Sequence, residues 1–484
     1  MELITFHNDS RHSKGFSMNE RRFYIIIGLS MLLISSIAQS GVVTKDSSIE
    51  DVMVILDVRH GIRKPYASLE SYTTNQDGFP SWYTTNLGCL TPNGLKVERS
   101  LGAYFKNIFI TKKLINIAPG ANCPTDESYY FRSDSFQRTW WSAKGIAEGL
   151  FPNCNNVNIY AINSSEYNSE KPQNDAGLVC TDANDPLFFP LEDVTNPPKM
   201  DPLVGKLSVA GSIGSTSTET DNLTAAYQSQ LDVIQGATTC CQPSACSSEI
   251  ENCTLNKIPA SIDASESSVA LNGPVTTGGV IAADWLMGYQ DGLAESDVAF
   301  GLSIKEVTPL NSLNNTVFDA MYNTPYIAQA EGSNLMHQIL LCLQQVASNK
   351  HIRGAVCSPR NKLVMFMGHD DNLHLTAGIL RTAWINLGYM PQETPAGSGF
   401  VFTLGKKGNN YYVKTQFLAQ TPDQQREISN GLNNSAIPSI VDLNVPGCIS
   451  PKDLPYYCPL ENFSRIVYSA INAKFITPVQ RYPQ

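Results

Sequence analysis

The amino-acid sequence predicts an α/β fold: a central mixed, mostly parallel sheet flanked by helices, with an inserted, mainly helical second domain. Three observations carry this. Residues 52–58, Val-Met-Val-Ile-Leu-Asp-Val, and residues 363–367, Leu-Val-Met-Phe-Met, are nearly continuous apolar runs of strand length, as strands buried on both faces require. Between residues 91 and 150 helix and strand patterns alternate, as they do where helices wrap a sheet. From 155 to 320 the apolar runs shorten and Ser, Thr, Asn and Pro become frequent, which marks the insertion.

Taken in order, residues 1–40 read as a targeting segment. Arg21-Arg22 precede the apolar run 23–34, and small residues follow up to Ser40, the predicted cleavage point. Left uncleaved, the segment would act as a membrane anchor, although the run is shorter than the ~20 residues a spanning helix needs. The first part of the α/β domain spans 41–154. Its opening strand, 52–58, ends at Arg59-His60-Gly61; Thr91 caps a helix over 91–109 with Pro92 in its first turn. Tyr129-Tyr130-Phe131 is a short strand, and a helix runs from Gln137 to Leu150. The helical domain spans 155–320, with helices over 221–235 and 279–295. The second part, 321–484, resumes with strand 363–367, which ends at Gly368-His369-Asp370 ahead of a helix over about 373–387. Phe400–Leu404 and Tyr411–Leu418 read as a hairpin at the sheet margin.

Composition narrows the chemistry. The 484 residues are 42% apolar and 16% charged, enough to bury a large core. Lys plus Arg number 34 against 44 acidic residues, a net charge of -10, so no basic face for nucleic acid is indicated. An anionic ligand must therefore be held by a few cations at fixed positions. All twelve cysteines follow the targeting segment, and an even count behind an export signal argues for disulfides and a periplasmic or secreted location. Cys246 with Cys253 and Cys448 with Cys458 are the natural local pairs, and Cys342 with Cys357 is a further pairing; Cys89, Cys180, Cys240 and Cys241 have no assigned partner. No cysteine pair has zinc-finger spacing with histidines nearby, so neither a metal nor a cofactor is expected.

Two strands finish in histidine-bearing loops, and the carboxyl ends of strands are where open α/β sheets bind ligands. The first loop, RHGIRKP at 59–65, fits the pattern RHGxRxP; the second is GHDDN at 368–372. A third segment, 132–139, places Arg138 near a helix start, where the helix dipole disfavours a cation unless an anion sits beside it. This is the set that metal-independent phosphate-ester hydrolysis needs. A neutral His60 attacks phosphorus. Arg59, Arg63 and Arg138 clamp the equatorial oxygens, with a protonated His369 as a fourth donor. Asp370 protonates the leaving oxygen, with Asp371 as its rival. Asp134 reads as a helix N-cap, His374 as structural and Trp140-Trp141 as packing.

Together these motifs resemble the histidine acid phosphatase branch of the histidine phosphatase superfamily. Segments 77–94, 131–154, 185–190, 394–402 and 447–463 extend the resemblance to bacterial periplasmic glucose-1-phosphatases and phytases. The resemblance implies an α/β domain beside a helical one, His60 as nucleophile, Arg59, Arg63, Arg138 and His369 as phosphate ligands, and Asp370 as proton donor. It also implies bridges Cys123–Cys154, Cys246–Cys253 and Cys448–Cys458. Lys64 and Asp371 depart from the family pattern and bear on substrate choice. The expected partner is a small phosphate ester such as a sugar or inositol phosphate, with no nucleic acid and no membrane beyond an uncleaved anchor. An exported pseudoenzyme that binds phosphorylated ligands without turnover is the competing reading.

Overall fold

A computed structural model describes residues 49–478, apart from 67–79, 116, 118–122, 125–126, 155, 163–179, 181–184, 193–195, 215–220, 239–254 and 434–435. The targeting segment and the Cys246–Cys253 pair lie outside the described residues.

Strand β1 (Glu50–Arg59) is buried from Met53 onward, as its unbroken apolar run requires. It is followed by α1 (Pro92–Thr111), whose N-cap Thr91 accepts a hydrogen bond from Gly94 N–H and carries Pro92 in its first turn. Next come β2 (Tyr129–Ser133) and α2 (Gln137–Leu150). The stretch predicted as a helical domain holds helices at Pro202–Ser212, Asp221–Ala226 and Gln228–Thr238, the two-stranded ribbon β3 (Ser261–Ala264) and β4 (Val269–Asn272), and α3 (Pro274–Gln290). Then α4 (Pro325–Ser348), β5 (Leu363–Gly368) and α5 (Asp370–Leu380) return the chain to the sheet. The final strands are β6 (Gly399–Lys407), β7 (Asn410–Ala419), β8 (Ser439–Asp442) and β9 (Tyr457–Pro459), which leads into α6 (Leu460–Ala470).

The central sheet has seven strands in the order β2-β5-β1-β6-β7-β8, with β9 also on β7. It is mixed, as expected, but not mostly parallel. Only β2-β5 and β5-β1 run parallel, whereas β1-β6, β6-β7, β7-β8 and β7-β9 are antiparallel. The physical reason is the β6-β7 hairpin, which adds to β1 from the far side and reverses direction. That hairpin is accordingly interior to the sheet rather than at its margin, because β8 and β9 cover β7. The helix after β5 begins at Asp370, three residues earlier than expected, because Asn372 Oδ1 caps the His369 N–H at 2.9 Å.

Bridges join Cys89–Cys180, Cys123–Cys154, Cys342–Cys357 and Cys448–Cys458. The first joins two cysteines that had no assigned partner. Among the described residues no helix is long and apolar enough to cross a membrane. The apolar face of the sheet against α1 and α2 is closed by Leu56, Leu101, Phe105, Phe131, Ile146 and Leu150. Those two helices touch backbone to backbone: a methyl group on Gly149 would lie 2.1 Å from Arg99 O, and one on Gly102 would lie 2.2 Å from Ile146 O. Because α1 and α2 carry the Thr91 turn and Arg138, this contact supports the site. Gly149→Ala is expected to lower unfolding free energy by about 3 kcal/mol, read from the urea midpoint, since backbone cannot yield to the added methyl.

Candidate active site

Parallel pairing of β1 on β5 sets Arg59 opposite Gly368, so His60 and His369 leave adjacent strand ends. Pairing of β2 on β5 sets Ser133 opposite Met367 and brings Asp134 to the same edge. Three hydrogen bonds lock the exits: His60 N–H to Gly368 O at 2.9 Å, Asp134 N–H to Met367 O at 2.9 Å and Arg59 N–H to Ser398 O at 2.8 Å. The rings of His60 and His369 come to a centroid distance of 5.4 Å. All six residues assigned to phosphate chemistry from the sequence converge here.

His60 is fully buried. Its Nδ1 lies 2.8 Å from Gly61 O, and because a carbonyl can only accept, Nδ1 carries the proton. Nε2 then holds the lone pair, and no hydrogen bond reaches it. Burial first, then the positive charges of Arg138 and Arg59 and the neighbouring His369 and Arg63, hold the pKa well below the ordinary imidazole value. The ring is neutral, with its lone pair on Nε2.

The three guanidinium groups are buried around it. Arg59 donates to Thr394 O, and its Nη2 meets Asp370 Oδ2 at 2.9 Å. Arg63 pairs with Asp284 Oδ1 on α3 at 3.1 Å and donates to Lys64 O at 2.9 Å. Arg138 reaches His369 Nδ1 at 3.5 Å and stacks on Phe136 at 4.1 Å. Tyr66 lies 3.5 Å from the Arg63 guanidinium and 5.0 Å from that of Arg138, so one aromatic ring spans two members of the clamp. Lys64 turns away from it, with Nζ 5.0 Å from the Trp82 ring, and burial lowers its pKa to about 8.

Several expectations change. Asp134 does not cap α2, whose N-cap is Phe136. Its Oδ2 instead meets His369 Nε2 at 2.8 Å, while Oδ1 accepts from Asp185 N–H at 2.8 Å. Nor is His369 an imidazolium in this site: burial, then Arg138, holds its pKa well below the ordinary value. A neutral His369 donates from Nε2 to Asp134 and accepts at Nδ1 from Arg138. Burial would also raise Asp370, but Arg59 and Arg63 outweigh it and hold this carboxyl below the usual range. Asp371 behaves oppositely, pushed up to about 8 by burial and by the Asp370 charge. Asp370 is thus ionised and Asp371 protonated at neutral pH. His374 is buried beside Phe318 and Trp384, and Trp140 and Trp141 pack with Leu90 and Leu95, so the structural readings of these residues match their surroundings.

Sequence reasoning missed the supporting residues. Ser142 Oγ accepts from Gly61 N–H at 2.8 Å and donates to Arg138 O at 2.6 Å, tying the RHG loop to α2. Arg132 forms a bidentate pair with Asp185, at 2.8 Å from both Nε and Nη2. Arg132 lay in the 132–139 segment, and Ser142 and Asp185 in the segments 131–154 and 185–190 that extend the resemblance, but short-range pattern gave none of them a partner. Both rings of the His60–His369 pair are expected to stay neutral where an ordinary imidazole titrates, as histidine NMR would register, whereas two freely titrating imidazoles would contradict the geometry.

The histidine phosphatase superfamily (branch 2) model matches residues 43–417. Phytase of Escherichia coli K12 is 25% identical over 458 residues, covering 92% of this chain and 98% of the relative. Glucose-1-phosphatase of Providencia rettgeri is 26% identical over 452 residues, covering 88% and 93%. Hafnia alvei phytase in complex with tartrate superposes with a TM-score of 0.72 at 25% identity, covering 89% of this chain and all of that one. The Citrobacter braakii phytase shares the fold at 23% identity, again with a TM-score of 0.72 and covering 88% of this chain and all of that one. Both sequence relatives are named as enzymes, which favours turnover over binding alone. Motif loops, sheet and family model therefore agree over most of the chain, which belongs to branch 2 of the histidine phosphatase superfamily and is a phosphoric monoester hydrolase.

Proposed function

We propose that turnover passes through a phosphohistidine on His60. The observation that carries this reading is the unpartnered, fully buried Nε2 of His60, its lone pair directed by the Nδ1–Gly61 hydrogen bond. Nε2 forms the bond to phosphorus as the ester P–O bond breaks. The departing oxygen takes the electron pair and then a proton from Asp370. Water next attacks the phosphoryl group, Asp370 accepts its proton, and the P–N bond breaks to release phosphate.

Arg59, Arg63 and Arg138 hold the equatorial oxygens, where negative charge concentrates in the transition state. A dianionic phosphate competes with Asp370 for Arg59, and that exchange raises the affinity of Asp370 for the proton it must donate. The same dianion favours a proton on His369, which then becomes the fourth phosphate ligand. Asp134 positions His369 by holding Nε2.

The substrate class is a sugar phosphate or an inositol phosphate, after the glucose-1-phosphatase and phytase relatives. Residues 155–320 form the lobe that selects the leaving group, with Asp284 as its contact to the clamp. The protein is exported, consistent with four disulfides, which persist in oxidising compartments.

His60→Ala is expected to cut turnover of an aryl phosphate by at least about 10³-fold with chelator present throughout; retention within about tenfold refutes the nucleophile. The turnover number kcat, which reports groups in the substrate complex, is expected to fall as pH rises through neutrality, because His60 is already neutral there and Asp370, its proton affinity raised by the bound dianion, then loses its proton. An optimum above about pH 8 would contradict that assignment. A panel of glucose 1-phosphate, phytate and aryl phosphate tests the substrate class: turnover of the aryl phosphate with neither glucose 1-phosphate nor phytate hydrolysed would overturn it.

A further inference from the structure

Glu98, on the second turn of α1, is the buried carboxyl that the mechanism leaves unused. It has no exposed surface, and among the described residues neither carboxyl oxygen has a hydrogen-bond partner. Three glycines surround it. A methyl group on Gly61 would lie 2.7 Å from Glu98 Oε1, one on Gly397 would lie 2.8 Å from the same atom, and one on Gly145 would lie 2.8 Å from Glu98 Cβ. The carboxyl thus occupies the space that side chains of residues 61 and 397 would fill. Gly397 has φ +70°, so a side chain there would be strained as well.

Both glycine loops carry the site. Gly61 O accepts from His60 Nδ1 and sets the tautomer, and Gly397 N–H donates to His60 O at 3.1 Å. Thr394 O, in the second loop, receives Arg59. A side chain at 98 therefore supports the nucleophile from below through two peptides. A leucine would avoid the desolvation cost of an unpartnered carboxyl but ends at Cδ, one atom short of the Oε1 that meets both glycine positions, so it would not support the two peptides in the same way.

Charged groups on the surrounding elements are engaged elsewhere. On the nucleophile loop Arg59 meets Asp370 and Arg63 meets Asp284; on α2 Arg138 meets His369, and Lys144 and Glu148 pair at 3.9 Å. Arg99 of α1 takes Glu148 at 2.6 Å, and Lys96 donates to Asn93 at 2.9 Å. Glu393 accepts from Met390 N–H at 2.8 Å, and the nearby helix Pro422–Ser429 directs Asp423 and Arg426 to Tyr289. Burial alone raises Glu98 well above the usual carboxylate range, so it is protonated while the enzyme works.

We propose that Glu98 is a positioning residue for His60. Its protonated carboxyl wedges under Gly61 and Gly397 and fixes the peptide that holds Nδ1, and loss of that proton releases the peptide and shuts the site. The inference rests on His60 as nucleophile, so His60→Ala is carried alongside: an active His60→Ala would defeat that reading, whereas the variants below address Glu98 alone.

Turnover of an aryl phosphate is measured across pH for wild type, Glu98→Gln and Glu98→Leu. Glu98→Gln, which keeps shape and polarity without ionising, is expected within about threefold of wild type at pH 5 and to gain at least about fivefold on it by pH 9. Glu98→Leu is expected to lose about tenfold or more in kcat with little change in KM and no fall in Tm. A Glu98→Gln profile that superimposes on wild type, or a folded Glu98→Leu with wild-type kcat, overturns the proposal. Where alkaline turnover is too slow to read, the Nδ1–H resonance of His60 decides. It is expected to vanish from wild type at alkaline pH and persist in Glu98→Gln, and identical behaviour in both proteins overturns the proposal.

Discussion

The site depends on one register, the parallel pairing that sets Arg59 of β1 opposite Gly368 of β5. Side chains along a strand alternate between faces, so a slip of one residue would turn His60 or His369 to the wrong side of the sheet. Correct register brings two imidazoles separated by more than 300 residues to 5.4 Å. Buried apolar side chains on both faces of β1 and β5 hold it, because a slipped register would break the packing of each layer. The β6 strand clamps β1 from the other side, and Ser398 O receives the Arg59 N–H at the point where the chain leaves the sheet.

Electrostatics follow from that convergence. Burial, and after it the repulsion from three guanidiniums in one space, holds both imidazoles neutral. Asp370 and Asp284 partly offset the charge, and each sits on a different helix, α5 and α3. The arrangement is unbalanced toward positive. In the proposed mechanism a phosphate dianion corrects the imbalance and redistributes protons among Asp370, His369 and Asp134. Binding and protonation are coupled because desolvated charges interact strongly at these separations.

Around the reacting groups lies a shell in which backbone does much of the positioning. Gly61 fixes the His60 tautomer through its carbonyl, Ser142 holds Gly61 N–H, and Asn372 caps the turn that presents His369 and Asp370. The close contact between α1 and α2 at Gly102 and Gly149 makes these parts one rigid unit. Glu98 lies inside that unit, so its proposed influence on His60 requires no contact with substrate.

Local chemistry was readable from the sequence because it is written in contiguous residues. The strand-to-loop transitions at 59–65 and 368–372, the Thr91-Pro92 helix start and the extent of α2 all follow from short-range pattern. What only the tertiary structure decided involves partners far apart in the chain. These are the antiparallel half of the sheet, the Cys89–Cys180 bridge, the Asp134–His369 pair, the Arg59–Asp370 pair that pulls Asp370 down, and Glu98 beneath Gly61. Neither helix propensity nor motif spacing encodes such contacts. They arise when packing selects one register and removes water from particular charges, and both are properties of the folded whole.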